Sequence, residues 1–385
     1  MKKFAFLTTM ASVFLFAVIM LSSCTKEGPA GSTGATGPMG STGTAGTDGL
    51  DGINGTDGTA GCIECHDGDA SLKAKEYQWE ISSHNAGNAL ARSSSASCSP
   101  CHSHQGFIAS DGNNPLTSDD WVGVNDPINP NCYTCHNIHQ TYTPSDLGFT
   151  YPDQPNWAVT HGKDISIDFG SGNLCVHCHQ SRKRDPIVDM TDLSIVYENI
   201  SSHYGPHYSA QANMMGGFGA YEFDGDANYP TGNGHLAADN TCVSCHMGFD
   251  TSAGTGGHTM KIDVGARDEL KKSCVQCHTG DVADEYYDAY YAKNFKVHAG
   301  DDIDTDGISL YAKLGYLLAD NAILDIVEDE EGVHFNINRG LDLNGTLTAA
   351  LFNFKFVYSD HSHGMHNPKW VEALLKNTIQ AVEAL

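Results

Sequence analysis

Six copies of one short motif, Cys-x-x-Cys-His, dominate the chemistry of this 385-residue chain. Of the 13 cysteines, all except Cys24 fall into pairs of the same spacing, and a histidine directly follows each pair. The paired cysteines are Cys62, Cys65, Cys98, Cys101, Cys132, Cys135, Cys175, Cys178, Cys242, Cys245, Cys274 and Cys277. The adjoining histidines are His66, His102, His136, His179, His246 and His278. This repetition indicates that one kind of group is bound six times by the same chemistry.

The spacing of the motif fits covalent attachment of haem. Two thiols three residues apart can reach both vinyl groups of one porphyrin, and the adjacent histidine can then bind the iron as proximal ligand. Zinc is a weaker interpretation, because zinc chemistry does not require a histidine directly after every second cysteine. Disulfides are also disfavoured, because a bridge within Cys-x-x-Cys is strained and usually catalytic. We therefore expect six haems c, and over residues 62 to 385 the chain resembles the multihaem c-type cytochromes.

The close spacing of the motifs predicts an unusual fold. Six large apolar macrocycles in so short a stretch would form much of the core, with loops and short helices wrapped around them. The fold class expected is therefore mainly α and irregular, a haem-organised multihaem cytochrome fold with little sheet. The haem-binding domain is placed at residues 62–298. Residues 299–385, which hold no such motif, are expected to form a helical C-terminal cap that contributes a distal haem ligand.

The N-terminus predicts export. Lys2 and Lys3 precede an uncharged apolar run over residues 4–21, the pattern of a signal peptide. The run ends in Leu-Ser-Ser-Cys24, which resembles the lipobox of bacterial lipoproteins. Residues 1–23 would then be a lipoprotein signal peptide, and Cys24 would carry acyl chains that anchor the mature protein to a membrane. The alternative is an ordinary secretory signal with an incidental cysteine.

Residues 24–61 are predicted to form a stalk. From Gly28 to Gly61 every third residue is glycine, as in the collagen triple helix. Only Pro29 and Pro38 supply imino residues, so a triple helix would be weak, and a flexible spacer is an equal alternative. If the segment trimerises, the protein is a homotrimer.

A second histidine on each iron would close the haem to substrate, and 14 of the 20 histidines lie outside the motifs. The strongest candidate is His366, because Asn367 and Pro368 favour the start of a helix directly after it. Val371, Leu374, Leu375, Ile379, Val382 and Leu385 mark the apolar face of that helix. The stretch Gly-Met-His366-Asn-Pro also resembles an element near the end of many multihaem cytochromes and ammonia-forming nitrite reductases, where the histidine is a distal ligand.

The other distal ligands are chosen by local resemblance to the same cytochromes. They are His84, His139, His207, His235 and His258. His161 is the leading substitute, with His203 and His298 behind it, and His361 and His363 are alternatives to His366. Met214 or Met247 could instead bind an iron, although the abundance of histidine disfavours methionine.

Electron transfer is favoured over catalysis. The ammonia-forming nitrite reductases have lysine in place of the motif histidine at the catalytic haem, and no motif of this chain has that change. We assign no catalytic residue. Two alternatives stay open: a reductase of nitrite, hydroxylamine or a sulfur oxyanion with one open haem, and a subunit of a polymeric cytochrome filament joined end to end.

A calcium site is a weaker prediction. Asp302, Asp304 and Asp306 followed by glycine resemble the opening of a calcium-binding loop. The acid expected at position twelve of an EF-hand is Lys313, so an EF-hand is not supported. A partial Ca²⁺ site and an acidic solvated turn are the two interpretations. A helix with Leu310, Leu314, Leu317 and Leu318 on one face is expected next.

The charge of the chain limits its partners. With 21 Lys and Arg against 47 Asp and Glu, the formal net charge is −26, so few basic groups are available for nucleic-acid phosphates. The expected partners are other cytochromes or redox proteins, and extracellular metal oxides. The expected location is the outer membrane or the cell surface, with the periplasmic face as the alternative.

Overall fold

The computed structural model describes residues 70–110, 123–154, 156–182, 185–238, 240–248, 257–262, 278, 282–330 and 332–385. The chain divides into two compact units, Met1–Gly55 and Thr56–Leu385. The first unit, with the predicted signal peptide, Cys24 and most of the glycine-repeat stalk, lies outside the described residues. So do the rest of the stalk and the motif residues Cys62, Cys65, His66, Cys274 and Cys277. All of the described residues belong to the second unit.

Short helices in an irregular chain make up the region that carries the motifs. Gly, Ser, Asn and Pro are frequent between the motifs, and these residues favour turns and helix ends over long regular elements. The helices are α1 Ala70–Glu80, α2 Ser83–Ala86, α3 Ser99–His102, α4 His104–Ala109, α5 Cys132–Cys135, α6 Asn173–Val176, α7 Gln211–Gly216 and α8 Thr241–His246. Short 3₁₀ helices lie at Ala89–Ser94, Pro144–Leu147, Gly170–Gly172, Gly234–Ala237 and Gly257–Thr259. The mainly helical and irregular fold class is thus confirmed.

The sheet content of the described residues is small. Strand β1 Val196–Ile200 follows the fourth motif. Strands β2 Leu324–Asp329 and β3 Gly332–Ile337 form an antiparallel hairpin in which Leu324 pairs with Ile337 and Asp329 with Gly332. Strand β4 Leu341–Asn344 pairs antiparallel with β1, so it joins the C-terminal region to the region of the motifs.

Four longer helices complete the chain and pack on one another. They are α9 Val282–Asn294, α10 Leu310–Asp320, α11 Gly345–Ser359 and α12 Pro368–Glu383. Their contact faces form a protein core that includes the buried side chains of Leu314, Phe354, Trp370 and Leu374. The C-terminal region therefore has a conventional core of its own, in addition to any that bound macrocycles would supply. It also contains the β2–β3 hairpin and β4, so it is not purely helical.

The predicted amphipathic faces are largely those that the structure buries. In α10, Leu314 and Leu318 are fully buried, while Leu310 and Leu317 pack half-buried at the edge of the core. In α12 the five predicted positions from Val371 to Val382 are buried. Leu385 is the exception, because it lies beyond the end of α12 and is 64% exposed.

Asn367 occupies the N-cap position of α12, but its side chain makes no capping hydrogen bond. Its amide nitrogen instead donates to the carbonyl oxygen of Met215, at 3.4 Å. The residue therefore fastens the start of α12 to α7. Within the part of the chain that the structure describes, no helix is both long and apolar enough to cross a bilayer.

Candidate haem site

The four described motifs line one large cavity. Its volume is about 2170 Å³, whereas sites for a single small molecule measure roughly 300–1000 Å³. Seven motif cysteines line it, all those in described segments except the exposed Cys132. The motif histidines His102, His136, His179, His246 and His278 line it as well. A space of this size, faced by every described motif, fits several large groups better than one.

Each of the four described motifs folds into a short helical turn. The backbone N–H of His102 donates to the carbonyl of Cys98 at 3.1 Å, and that of His136 to Cys132 at 2.9 Å. The same bond joins His179 to Cys175, at 2.9 Å. Residues three and four apart share one face of such a turn, so the two thiols and the imidazole of a motif point to the same side. Asn131 shows how the sequence begins such a turn, because its side chain caps α5.

The eight cysteines of the four described motifs are free thiols. The contacts between thiols that do occur join different motifs: Cys101 lies against Cys178, and Cys175 against Cys242. Burial raises the pKa of the Cys135 thiol to about 11, with the nearby Cys132 as a second cause. In these segments the Cys-x-x-Cys pairs are therefore not disulfides, and their sulfur atoms are free to bond to another group.

Among the described rings, five pairs of histidines face each other, and each pair joins one motif histidine to one predicted distal ligand. The motif histidines come from the second to the sixth motifs. The distances between ring centroids are 6.1 Å for His84–His179, 6.3 Å for His102–His207, 6.4 Å for His136–His258, 6.5 Å for His235–His278 and 6.3 Å for His246–His366. The near constancy of this distance indicates a common partner of fixed size between the rings.

One metal ion between two imidazoles accounts for the distance. A metal–imidazole bond is about 2 Å long and the ring centroid lies about 1 Å behind the nitrogen, so two rings on opposite sides of one ion have centroids about 6 Å apart. Among the described residues, no three or more His, Cys, Asp and Glu side chains converge in a way that could hold a metal. A metal placed here therefore needs its other ligands from a cofactor. Haem supplies four, so the residues present fit haem with two axial histidines.

Hydrogen bonds to the second ring nitrogen orient several of these imidazoles. The Nδ1 atom of His136 lies 2.7 Å from the carbonyl oxygen of Leu147, and that of His246 lies 3.0 Å from the carbonyl oxygen of Met260. A ring that donates from Nδ1 keeps Nε2 unprotonated, and Nε2 is then available to a metal. Desolvation by burial, with His179 nearby, lowers the pKa of His84 to about 4, so this ring is neutral at neutral pH.

His179 and His366 have side-chain partners at Nδ1. The Oε1 atom of Gln211, at the start of α7, lies 3.3 Å from Nδ1 of His179. The Oδ1 atom of Asp360 lies 2.6 Å from Nδ1 of His366, and the Asp360 side chain is fully buried. Sequence reasoning missed both Gln211 and Asp360, because nothing in the local sequence distinguishes them from other polar residues.

The wall of the cavity is basic, although the chain as a whole is acidic. Among the described residues that line it, five are cationic and only Asp288 and Asp360 carry acidic side chains. The five are Arg92, Arg182, Lys261, Lys355 and Lys369. Such a wall suits anionic groups, and the propionates of haem are of that kind.

The substitute histidines have other surroundings. The Nε2 atom of His161 lies 3.0 Å from the carbonyl oxygen of Gly219, and its ring packs against Tyr221 at an angle of 40°. His298 contacts Asp301, and His361 stacks on Tyr208. His363 packs against Tyr291 and Phe295, while His203 lines the cavity without a facing histidine among the described rings.

The remaining candidates lie in three different settings. The predicted distal ligand His139 stacks on Tyr142, at 5.4 Å between centroids, and faces no motif histidine of the described segments. Met214 is fully buried in the protein core, whereas Met247 lines the cavity.

The structure does not bring the three candidate calcium ligands together. The carboxylate of Asp302 accepts a hydrogen bond from the backbone N–H of Asp304, at 2.9 Å, and another from the Thr305 hydroxyl. Asp304 and Asp306 do not converge on it, since no metal-binding group of three or more occurs in the described segments. The partial Ca²⁺ site at this loop stays a prediction.

The match to one protein family agrees with this chemistry. The sequence profile of the family "Cytochrome c552" matches residues 228–384, which include the fifth and sixth motifs. No curated protein matches the chain. A solved structure, "Crystal Structure of Outer Cell Wall Cytochrome OcwA", is similar with a TM-score of 0.46 and 19% identity. That match covers 80% of this chain, which in turn spans half the length of that protein. The family match, together with the repeated Cys-x-x-Cys-His motif, supports a multihaem c-type cytochrome.

Proposed function

We propose that this protein is an electron-transfer cytochrome that carries six covalently attached haems c, each with two axial histidines. The five facing histidine pairs, with centroids 6.1–6.5 Å apart, carry the proposal. When bound, haem supplies a one-electron iron couple that two axial imidazoles close to substrate. The motif cysteines would hold the macrocycle, and the histidines outside the motifs would fill the distal positions. His66 and His139, the two candidates outside these pairs, would form the sixth.

Contacts between motifs support a relay. Cys101 of the second motif lies against Cys178 of the fourth, and Cys175 of the fourth lies against Cys242 of the fifth. Groups attached at touching thiols have neighbouring edges, so electrons could pass among them without leaving the protein. The same contacts make the fourth motif the junction between the second and the fifth.

The location and the partners belong to the same proposal. A lipid on Cys24 and the glycine-repeat stalk would hold the haem domain on the cell envelope, at the outer membrane or the cell surface. Electrons would pass to or from other redox proteins, or to extracellular metal oxides. The net charge of −26 favours a partner with a basic docking surface.

The test combines haem counting with spin-state analysis of the full-length, haem-loaded protein. Pyridine haemochrome and intact mass should give six haems, and EPR of the oxidised protein should show only low-spin iron. His366→Ala should convert one haem to high spin, whereas His334→Ala, on the exposed hairpin, should change none. Fewer than six haems would overturn the proposed haem count. A high-spin haem in the unmutated protein would instead favour the reductase.

A further inference from the structure

We propose that Asp360 is a positioning residue that lowers the reduction potential of the haem bound between His246 and His366. This inference rests on the function proposed above, because it requires those two histidines to bind one iron. It adds a role for a residue that does not itself touch the metal.

The carboxylate of Asp360 is buried and aimed at the imidazole. Its side chain has no exposed surface, and Oδ1 lies 2.6 Å from Nδ1 of His366. The hydroxyl of Ser362 donates to the other oxygen, Oδ2. Ser362 Oγ also accepts a hydrogen bond from the backbone N–H of His366, at 3.2 Å. The carboxylate and the imidazole are therefore held by one short loop, residues 360–366, in a fixed relation.

Three motif histidines, His136, His246 and His179, have neutral partners at Nδ1. These partners are the carbonyl oxygens of Leu147 and Met260 and the amide oxygen of Gln211. A hydrogen bond from imidazole to a buried carboxylate is charge-assisted and gives the ring more of the character of an imidazolate. Such a ring is a stronger donor to iron and stabilises the ferric state, which carries one more positive charge than the ferrous state. The potential of this one haem should therefore be lower than a neutral partner at Nδ1 would give.

The side chain of Gln211 links the start of the loop that carries Asp360 to a second pair of histidines, His84 and His179. The side-chain amide of Gln211 donates to the carbonyl oxygens of Ser359 and Asp360, at 3.2 and 3.3 Å. Its Oε1 atom faces Nδ1 of His179. The start of the loop is thus tied to the neighbouring site, and the position of the carboxylate does not depend on α12 alone.

The test is the midpoint potential of each haem, measured by spectroelectrochemistry of the haem-loaded full chain. Asp360→Asn keeps the shape and an acceptor for Nδ1 but removes the charge. We expect the reduction equilibrium of one haem to shift about tenfold towards the ferrous state, which is about 59 mV for one electron. Ser362→Ala should shift the same haem in the opposite direction, because the carboxylate loses the donor that draws its charge away from the imidazole. The matched control is Asp329→Asn, which removes the carboxylate that pairs with His334 on the exposed hairpin, and it should change no potential.

The outcomes separate this inference from the proposed function. If Asp360→Asn retains all low-spin haems and no midpoint moves, the tuning role is wrong although the ligation stands. If His366→Ala leaves every haem low-spin, the ligation itself is wrong. If the Asp360→Asn protein binds haem poorly, the Ser362→Ala variant tests the tuning role of Asp360 instead. A lower midpoint potential of the same haem supports that role, and an unchanged or higher potential overturns it.

Discussion

Replacement of Asn353 by alanine is expected to destabilise the contact between α11 and the segment after α7. The Asn353 side chain is fully buried. Its Oδ1 atom accepts from the backbone N–H of Tyr221 at 2.8 Å, and its Nδ2 atom donates to the carbonyl oxygen of Tyr221 at 2.7 Å. Alanine would leave both of these buried backbone groups without their partner. A third bond, from Nδ2 to Thr378 Oγ1 at 2.9 Å, would also be lost, but that hydroxyl still donates to the carbonyl of Leu374.

The loss of stability depends on how many buried polar groups are left without a hydrogen-bond partner. Each buried donor or acceptor without a partner costs about 1–3 kcal/mol, so Asn353→Ala should lower the free energy of unfolding by about 2–6 kcal/mol. The assay is urea unfolding of the haem-loaded protein, monitored by far-ultraviolet circular dichroism. The control is Asn321→Ala at the exposed end of α10, where one bond to the carbonyl of Leu317 is lost, with a cost below about 1 kcal/mol. A loss for Asn353→Ala no larger than for the control would refute the reasoning, because it would mean that water or a shifted backbone satisfies Tyr221.

Three further results are expected. Three of the five facing histidine pairs have ring planes inclined by 71–82° and two by 30–41°. Nearly perpendicular axial imidazoles give a ferric EPR signal with one large g value, and more nearly parallel ones a rhombic signal. Both classes should therefore appear, and a spectrum of one class only would contradict the ring geometry. His84→Ala should open one haem, seen as a single high-spin signal and as cyanide binding that the unmutated protein lacks. Gly217→Ala should cost about 1–2 kcal/mol in urea unfolding because the backbone is left-handed, with φ of 68°. This cost should exceed that of Gly307→Ala, where φ is 75° but an added Cβ meets open space, because an added Cβ at Gly217 contacts Asn367 and Trp370. Equal losses for the two variants would show that this contact is harmless.

The sequence alone determined the chemistry of attachment and much of the local structure. Covalent attachment depends on residues three and four apart, and a helical turn brings these together wherever the motif occurs. The helices that begin near Leu310 and at Pro368 were also predictable, because an apolar residue at every third or fourth position leaves one face to bury. Leu385 was placed wrongly because periodicity does not reveal where the helix ends.

Tertiary structure decided which histidine faces which motif. His84 faces His179, about a quarter of the chain away, and His366 faces His246 from the far end of the chain. Local sequence can nominate a histidine as a ligand, but the distance between two rings is set by how α11, α12 and the loops around the cavity pack. The carboxylate of Asp360 beside His366 depends on the same packing. A buried aspartate and a solvent-exposed one have the same letter in the sequence, and only the fold fixes how far each lies from water and from an imidazole.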